Sequence, residues 1–302
     1  MAERVRSPVP FAPLGKTKTT FVCTVGVCLT LVFLGEIMRI KVLSFAASLL
    51  LISNSTAGIP QTQTTSSPQR DPLAVALLQK SVSVMGVPPS DSTATGSVTT
   101  VAGSLTQQGT VTILTKGSAE TSIQFQMPNN PSTVVFANGQ ANKVETSQTT
   151  VYPLELAASS QCLYFPLPFL SGVLNNADYS VQYVGQETVG SSTANHIVVQ
   201  NTFNSSSIYQ FLSPFTAADI WIDASSGLPV KIAMVRRFGG GSTPSYPISV
   251  SYSNYQVVSG VRYPFTVQEY VTATLWATTT IQSVVFNSGL TDSSFQLATG
   301  GD

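Results

Sequence analysis

Few side chains in this 302-residue chain are placed to do acid–base, nucleophilic or metal chemistry. His196 is the sole histidine and lies among apolar residues of a predicted strand, where a structural position is more common than a general base. Cys162 lies in an apolar stretch, which favours a small core residue over a nucleophile. The close carboxylates Asp219 and Asp223 have no cluster of histidine or cysteine beside them to complete a metal site. The sequence therefore predicts a protein that is not an enzyme and holds no metal or cofactor.

Two short features could bind an anion. The triple glycine at residues 239–241 lacks the Lys-Ser/Thr pair and the helix that follow a phosphate-binding loop, so a flexible loop is favoured. Arg236 and Arg237 precede it and could bind a lipid headgroup or a partner's acidic group. A solvated strand end is the favoured interpretation of this arginine pair.

The N-terminal region contains the parts of a secretory signal peptide in order. Met38 is followed by the basic residues Arg39 and Lys41, by eleven uncharged residues at 42–52, and by small residues at Ser55 and Ala57. We expect residues 38–57 to be a signal peptide and the protein to be periplasmic or otherwise exported.

An apolar stretch also precedes Met38, at residues 19–35. As a helix it would span about 25 Å, less than the roughly 30 Å of a bilayer core. Residues 1–37 are interpreted as an upstream extension of the gene, with Met38 as the true start. The alternative is a translated N-terminal apolar segment that anchors the protein in a membrane.

The expected mature chain is weakly charged. Removal of residues 1–57 takes away six of the 14 basic residues and two of the 14 acidic residues, which leaves a net charge of −4. No basic cluster remains beyond the pair at 236–237, so we expect no nucleic-acid partner. Because Cys162 is the one cysteine left, the domain must be held by its core rather than by disulfides.

The pattern along the mature chain predicts a flexible leader at residues 58–71, then one domain at 72–297. Asp71 is a predicted helix N-cap with Pro72 at the first helical position, and Leu73, Leu77 and Leu78 recur at helical spacing. After residue 90 short β-type runs dominate, divided by Gly, Pro and Asn. The predicted strands are residues 96–102, 110–116, 121–127, 133–137, 143–149, 179–185, 194–199, 218–223, 228–236, 248–258, 261–270 and 275–286.

Short glycine-containing turns between these runs predict an antiparallel meander. The exception is residues 153–176, a dense apolar stretch that contains three prolines. We expect it to form one or two short helices that cover the dry face of the sheet.

The order of these elements resembles the LolA and LolB lipoprotein carriers and their outer-membrane lipoprotein-sorting relatives. The sequence IWID at residues 220–223, followed by GLPVK at 227–231, is similar to a hairpin of that family. Residues 252–255, 260–264 and 287–295 are similar to its C-terminal pattern. The resemblance covers about residues 71–296.

This resemblance implies a mainly β fold, in which a strongly curved antiparallel sheet forms an incomplete barrel covered by the N-terminal helix and the mid-chain insertion. It also implies non-covalent binding of an acyl lipid or lipoprotein by a monomer of the cell envelope, with an envelope protein as a further partner. We expect a mobile cover of Phe165, Phe169 and Leu170 over four further ligand-binding residues, Phe125, Trp221, Val250 and Tyr252. The alternative is an envelope scaffold or interaction protein of the same fold, with a filled core and no ligand.

Overall fold

The computed structural model describes residues 67–159, 163–237 and 245–298, and the strands in this part of the chain join into one antiparallel sheet. The thirteen described strands are β1 (Asp91–Ala102), β2 (Leu105–Lys116), β3 (Glu120–Gln126), β4 (Ser132–Ala137), β5 (Gln140–Glu145), β6 (Gln148–Val151), β7 (Tyr179–Val189), β8 (Ser192–Asn201), β9 (Ala218–Asp223), β10 (Pro229–Arg237), β11 (Ser245–Val258), β12 (Val261–Val271) and β13 (Thr274–Phe286). The predicted upstream extension, signal peptide, most of the leader, Cys162 and the triple glycine lie outside the described residues.

Neighbouring strands follow the chain order except in the middle of the sheet, where β1 pairs with β13. The order is β6-β5-β4-β3-β2-β1-β13-β12-β11-β10-β9-β8-β7, so two runs of hairpins meet at the β1–β13 pair. Over the described strands the sheet is open, with β6 and β7 at its edges. The predicted mainly β, antiparallel and unclosed architecture is confirmed.

Helix α1 (Pro72–Met85) begins where the sequence predicts. The Asp71 carboxylate accepts the N–H of Leu73 at 2.7 Å and that of Ala74 at 3.2 Å, which caps the first turn. The helix buries one stripe against the sheet, formed by Ala74, Leu78, Ser81 and Met85. Leu73, expected on the apolar face, is 51% exposed because the buried stripe begins one residue later.

The mid-chain insertion forms two short helices, α2 (Leu154–Ala158) and α3 (Pro166–Asn175), as predicted. Helix α3 and the residue before it fill the centre of the face that also receives α1, which we call the inner face. There the ring of Phe165 stacks on Tyr263 with centroids 4.5 Å apart. This part of the inner face is therefore a packed core.

One predicted strand, residues 143–149, is in fact two. Strand β5 ends at Glu145 and β6 begins at Gln148, with Glu145 and Gln148 paired across a two-residue turn. The turn residues Thr146 and Ser147 are not the Gly, Asn or Asp that usually mark such hairpins, so no local signal predicts this turn.

The remaining described helices are two 3₁₀ helices, Ser207–Phe215 and Asp292–Phe295. The second lies near the C-terminus, and its Phe295 packs with Val135 and Ala137 on the outer face, opposite α1 and α3. Contacts divide the chain into Met1–Gln61 and Thr62–Asp302, and every described residue belongs to the second unit. Within the described segments, no helix has the length and apolarity needed to cross a bilayer.

Candidate functional site

The inner face contains a cavity of about 370 Å³ beside α2. Strands β1 to β5, β10, β12 and β13 contribute to its wall together with α2. Most of its apolar lining comes from Ile123, Phe125, Met127, Val134, Phe136 and Leu156. The packed core under α1 and α3 and this cavity therefore occupy different parts of the same face.

The two-residue period of β4 explains how the sequence builds this wall. Val134 and Phe136 point into the cavity, whereas the alternate residues Val135 and Ala137 are buried on the outer face against Phe295. Strand β4 therefore has apolar residues on both faces, and one set lines the cavity.

Two charged residues continue apolar rows of the inner face. On β10, Ile232 and Met234 are buried in the core, and Arg236 is the next residue in their row. On β12, Val267 is buried in the core and Glu269 is next. The side chains of Arg236 and Glu269 are 23% and 8% exposed, and both line the cavity. The predicted solvated strand end is therefore wrong for Arg236.

The contact between these two charges is loose. Nη1 of Arg236 lies 3.6 Å from Oε1 of Glu269, which is an ion pair beyond hydrogen-bond distance. The hydroxyl of Tyr164 donates to Oε2 of Glu269 at 3.3 Å. Burial first, and then the charge of Glu269, raise the pKa of Tyr164 well above its ordinary value, so this hydroxyl stays a donor.

Lys143, Asn130 and Tyr152 are among the other polar side chains that line the cavity. Lys143 binds Glu145 at 2.8 Å, and Glu145 also accepts the side-chain amide of Asn130 at 2.9 Å. Burial raises the pKa of Tyr152, which keeps its hydroxyl neutral. The cavity thus combines an apolar wall with a few polar groups, a composition typical of small-molecule sites.

Of the seven predicted ligand-binding residues, Phe125 lines the cavity. The predicted cover of Phe165, Phe169 and Leu170 is 0–5% exposed, and Val250 and Tyr252 beneath it are 2% and 4% exposed. These five residues are together in the packed core, where the Tyr252 hydroxyl donates to the carbonyl of Leu163 at 2.6 Å. The structure thus places them in the core beside the cavity.

Trp221 is not brought together with the others. Its neighbours Ile220 and Ile222 are in the core, so Trp221 lies on the outer face, stacked on His196 with centroids 4.4 Å apart. The ring nitrogens of His196 contact the carboxylates of Glu187 at 2.8 Å and Asp219 at 2.7 Å. This cluster joins β7, β8 and β9, and the described residues include no group of three or more side chains suited to a metal.

A second cavity of about 340 Å³ lies on the other side of α2. Phe136 lines both cavities, whereas α2 turns Leu156 toward the first and Leu154, Ala157 and Ala158 toward the second. The first cavity contains charged side chains, and the second is lined without Asp, Glu, Lys or Arg among the described residues. Among the described residues, charged side chains that could recognise an ionic group therefore line the first cavity and not the second.

Comparisons with known proteins give likeness of fold at low identity. A LolA superfamily protein from Nitrosomonas europaea is 15% identical, with 74% of this chain and 97% of that one covered at a TM-score of 0.48. A putative outer membrane lipoprotein-sorting protein domain from Vibrio parahaemolyticus is 12% identical, with 74% and 96% covered and the same TM-score. Both carry the name of the family that the sequence resembles. No family model matches the chain, and no curated protein matches it.

Most of the cavity wall was not predicted from the sequence. Arg236 was named as a possible headgroup ligand, although a solvated strand end was favoured for it. Glu269 could have been found, because it puts a charge in the row of a strand whose preceding members are apolar. Phe136 and Leu156 carried no such signal, since an apolar residue in a strand or short helix is equally suited to a core. Their role depends on where α2 packs, which the local pattern does not contain.

Proposed function

We propose that this chain is an exported cell-envelope protein that binds a lipid or another apolar ligand without covalent chemistry. The observation that supports this most directly is the cavity beside α2, whose volume of about 370 Å³ lies within the range of small-molecule sites. The signal-peptide pattern at residues 38–57 supports export.

The wall chemistry suits an acyl chain. Phe125, Val134 and Phe136 offer aromatic and branched aliphatic surface, and each methylene removed from water there contributes about 0.8 kcal/mol. A ligand with about eight buried methylenes gains about 6 kcal/mol before the cost of association. Binding without catalysis is part of this proposal, and a lipoprotein acyl chain is one ligand of this chemistry.

Native mass spectrometry tests the proposal. The full-length gene is expressed in a bacterial host, and the exported protein is purified without detergent. We expect a mass increment that organic extraction removes, and uptake of added fatty acid by the extracted protein. A clean protein mass with no uptake would refute ligand binding and favour the scaffold alternative.

A pair of matched variants locates the ligand. Val134→Trp fills part of the cavity and is expected to reduce uptake at least about fivefold, since the added ring occupies space the chain needs. Val257→Trp places the same ring on β11 at a position that is 61% exposed and should leave uptake unchanged. Equal uptake of fatty acid by the two variants would show that the ligand binds outside this cavity.

A further inference from the structure

Arg236 has a hydrogen-bond donor, Nε, that no described residue accepts. Its side chain is 23% exposed, yet its Nε is buried and, among the described residues, has no hydrogen-bond partner. The carboxylate of Glu269 lies 3.6 Å from Nη1, too far for a hydrogen bond. A guanidinium with buried and unsatisfied donors is unfavourable, so such groups normally have an acceptor.

Because Arg236 lines the cavity, an acceptor for its guanidinium can come from a molecule bound there. Glu269 already accepts the hydroxyl of Tyr164 through Oε2, and it is the one acidic side chain among the described residues that line this cavity. In the described part of the lining the cations are Arg236 and Lys143, and Lys143 has a partner in Glu145 at 2.8 Å. Arg236 is thus the lining cation whose nearest carboxylate makes the weaker contact.

The position of Arg236 sets the direction of a bound molecule. It follows Met234 in the inner-face row of β10 and shares the cavity with Phe125 and Val134 of the facing wall. A ligand held at its head by Arg236 would have apolar side chains along its length. This arrangement matches an amphiphile with one anionic end.

We propose that the ligand is an anionic amphiphile whose carboxylate or phosphate is bound by Arg236, with the chain lying along the β3–β4 wall. The proposal rests on the proposed function and adds the class of ligand to it. The planar fork of the guanidinium can give two parallel hydrogen bonds to either anion, which an ammonium cannot. Glu269 then acts as a positioning residue, because it is the charged group that faces the guanidinium from β12.

The experiment follows tryptophan fluorescence, with the cavity-lining Trp276 as the reporter of binding. The exported protein, freed of lipid by extraction, is titrated with dodecanoate, dodecyl phosphate and the methyl ester of dodecanoate. We expect at least one anion to bind about tenfold more tightly than the ester, the difference made by a charge-assisted hydrogen bond. The ranking of dodecanoate and dodecyl phosphate distinguishes the two headgroup sources.

Variants then assign the effect to one residue. Arg236→Gln should lower the affinity for the preferred anion about tenfold and leave the ester unchanged, and binding of the ester shows that the variant is folded. Arg236→Lys should recover part of the loss through charge alone. Arg262→Gln removes an exposed arginine of β12 and should leave the affinity for all three probes unchanged.

The outcomes separate the two proposals. Equal affinity for the anions and the ester in the unmodified protein, or an equal loss of all three in Arg236→Gln, would overturn headgroup recognition while the apolar site stands. Failure of all three probes to bind the unmodified protein would overturn the proposed function itself.

Discussion

Asp223 shows at the residue scale how one side chain fixes a turn. Its Oδ1 accepts the backbone N–H groups of Ser225 and Ser226 at 3.1 Å and 2.7 Å and their hydroxyls at 2.7 Å and 2.8 Å. The backbone bond from Ser226 is the main cause of a pKa lowered to about 2, and burial acts against it. The ionised form of Asp223 therefore stabilises the hairpin of β9 and β10.

We predict that Asp223→Asn destabilises the protein by about 2 kcal/mol at pH 7 and much less at pH 2. The folded pKa is below the value of about 3.9 in unfolded chains, so the contribution is complete above that value and is lost as the pH falls through about 2. Urea unfolding at the two pH values measures the difference. An equal loss at both pH values in Asp223→Asn would refute the ionic origin of this stabilisation.

Asp71, Asp223 and Trp221 show how far single positions can be predicted from the sequence. The carboxylate of Asp223 and the cap at Asp71 act on backbone groups two or three positions away, and the sequence places both in turns or helix starts. Trp221 shares a strand with apolar neighbours, so its face depends on the register between β8 and β9. Local chemistry was thus predictable, whereas the facing direction of an aromatic residue in an apolar strand was not.

At the scale of elements, the end of α3 depends on Arg70 from the N-terminal side of α1. Its guanidinium donates to the carbonyls of Val173, Leu174, Asn176 and Tyr179 at 2.9–3.3 Å. These carbonyls include the last ones of the helix, where a cation also interacts favourably with the helix dipole. Residues 69–71 further bond to Val181 of β7, so hydrogen bonding of the fold extends into the stretch assigned to the flexible leader.

We predict that Arg70→Gln destabilises the protein by about 2 kcal/mol, because the helix end loses a charged donor to several carbonyls. Arg70→Lys should recover less than half of this, since an ammonium cannot reach several carbonyls in a fork. Urea unfolding at pH 7 gives the free energies, with the exposed Arg262→Gln as the matched control. A loss no larger than that of the control would show that α3 does not depend on this cap.

The same scale shows which elements the sequence could specify. Helix α1 has a capping aspartate, a proline at its first position and a terminal glycine with φ 109°, and each of these signals is local. The cap of α3 pairs Arg70 with a carbonyl more than 100 residues later, and no local pattern near residue 173 predicts this contact. Elements were therefore predicted where their ends are set by neighbours in sequence.

At the scale of the whole molecule, the sheet depends on one pairing between its two runs of hairpins. Strands β1 and β13 join residues such as Ser92 and Phe286, which local turn signals cannot connect. The sequence predicted a meander because every other pair is between successive strands. Because the first strand pairs with the last, β6 and β7 become the two edges of the sheet. The α2–α3 insertion connects these edges across the inner face and contributes to the wall of the cavity.

Gly96 offers a test of that central pairing. It lies beside the register shift between β1 and β13, and a Cβ at this position would be 2.2 Å from the carbonyl oxygen of Thr280. Since that oxygen belongs to the backbone of β13, Gly96→Ala must push the strands apart, and we predict a loss of about 1–3 kcal/mol. Thr95→Ala, at the adjacent exposed position, should cost less than about 1 kcal/mol.

If the pairing holds the two runs together, thermal unfolding of Gly96→Ala remains a single transition at a lower temperature. The packed core under α1 and α3 draws its residues from both runs, which favours a single transition. A separate early transition would instead mean that each run of hairpins is stable alone.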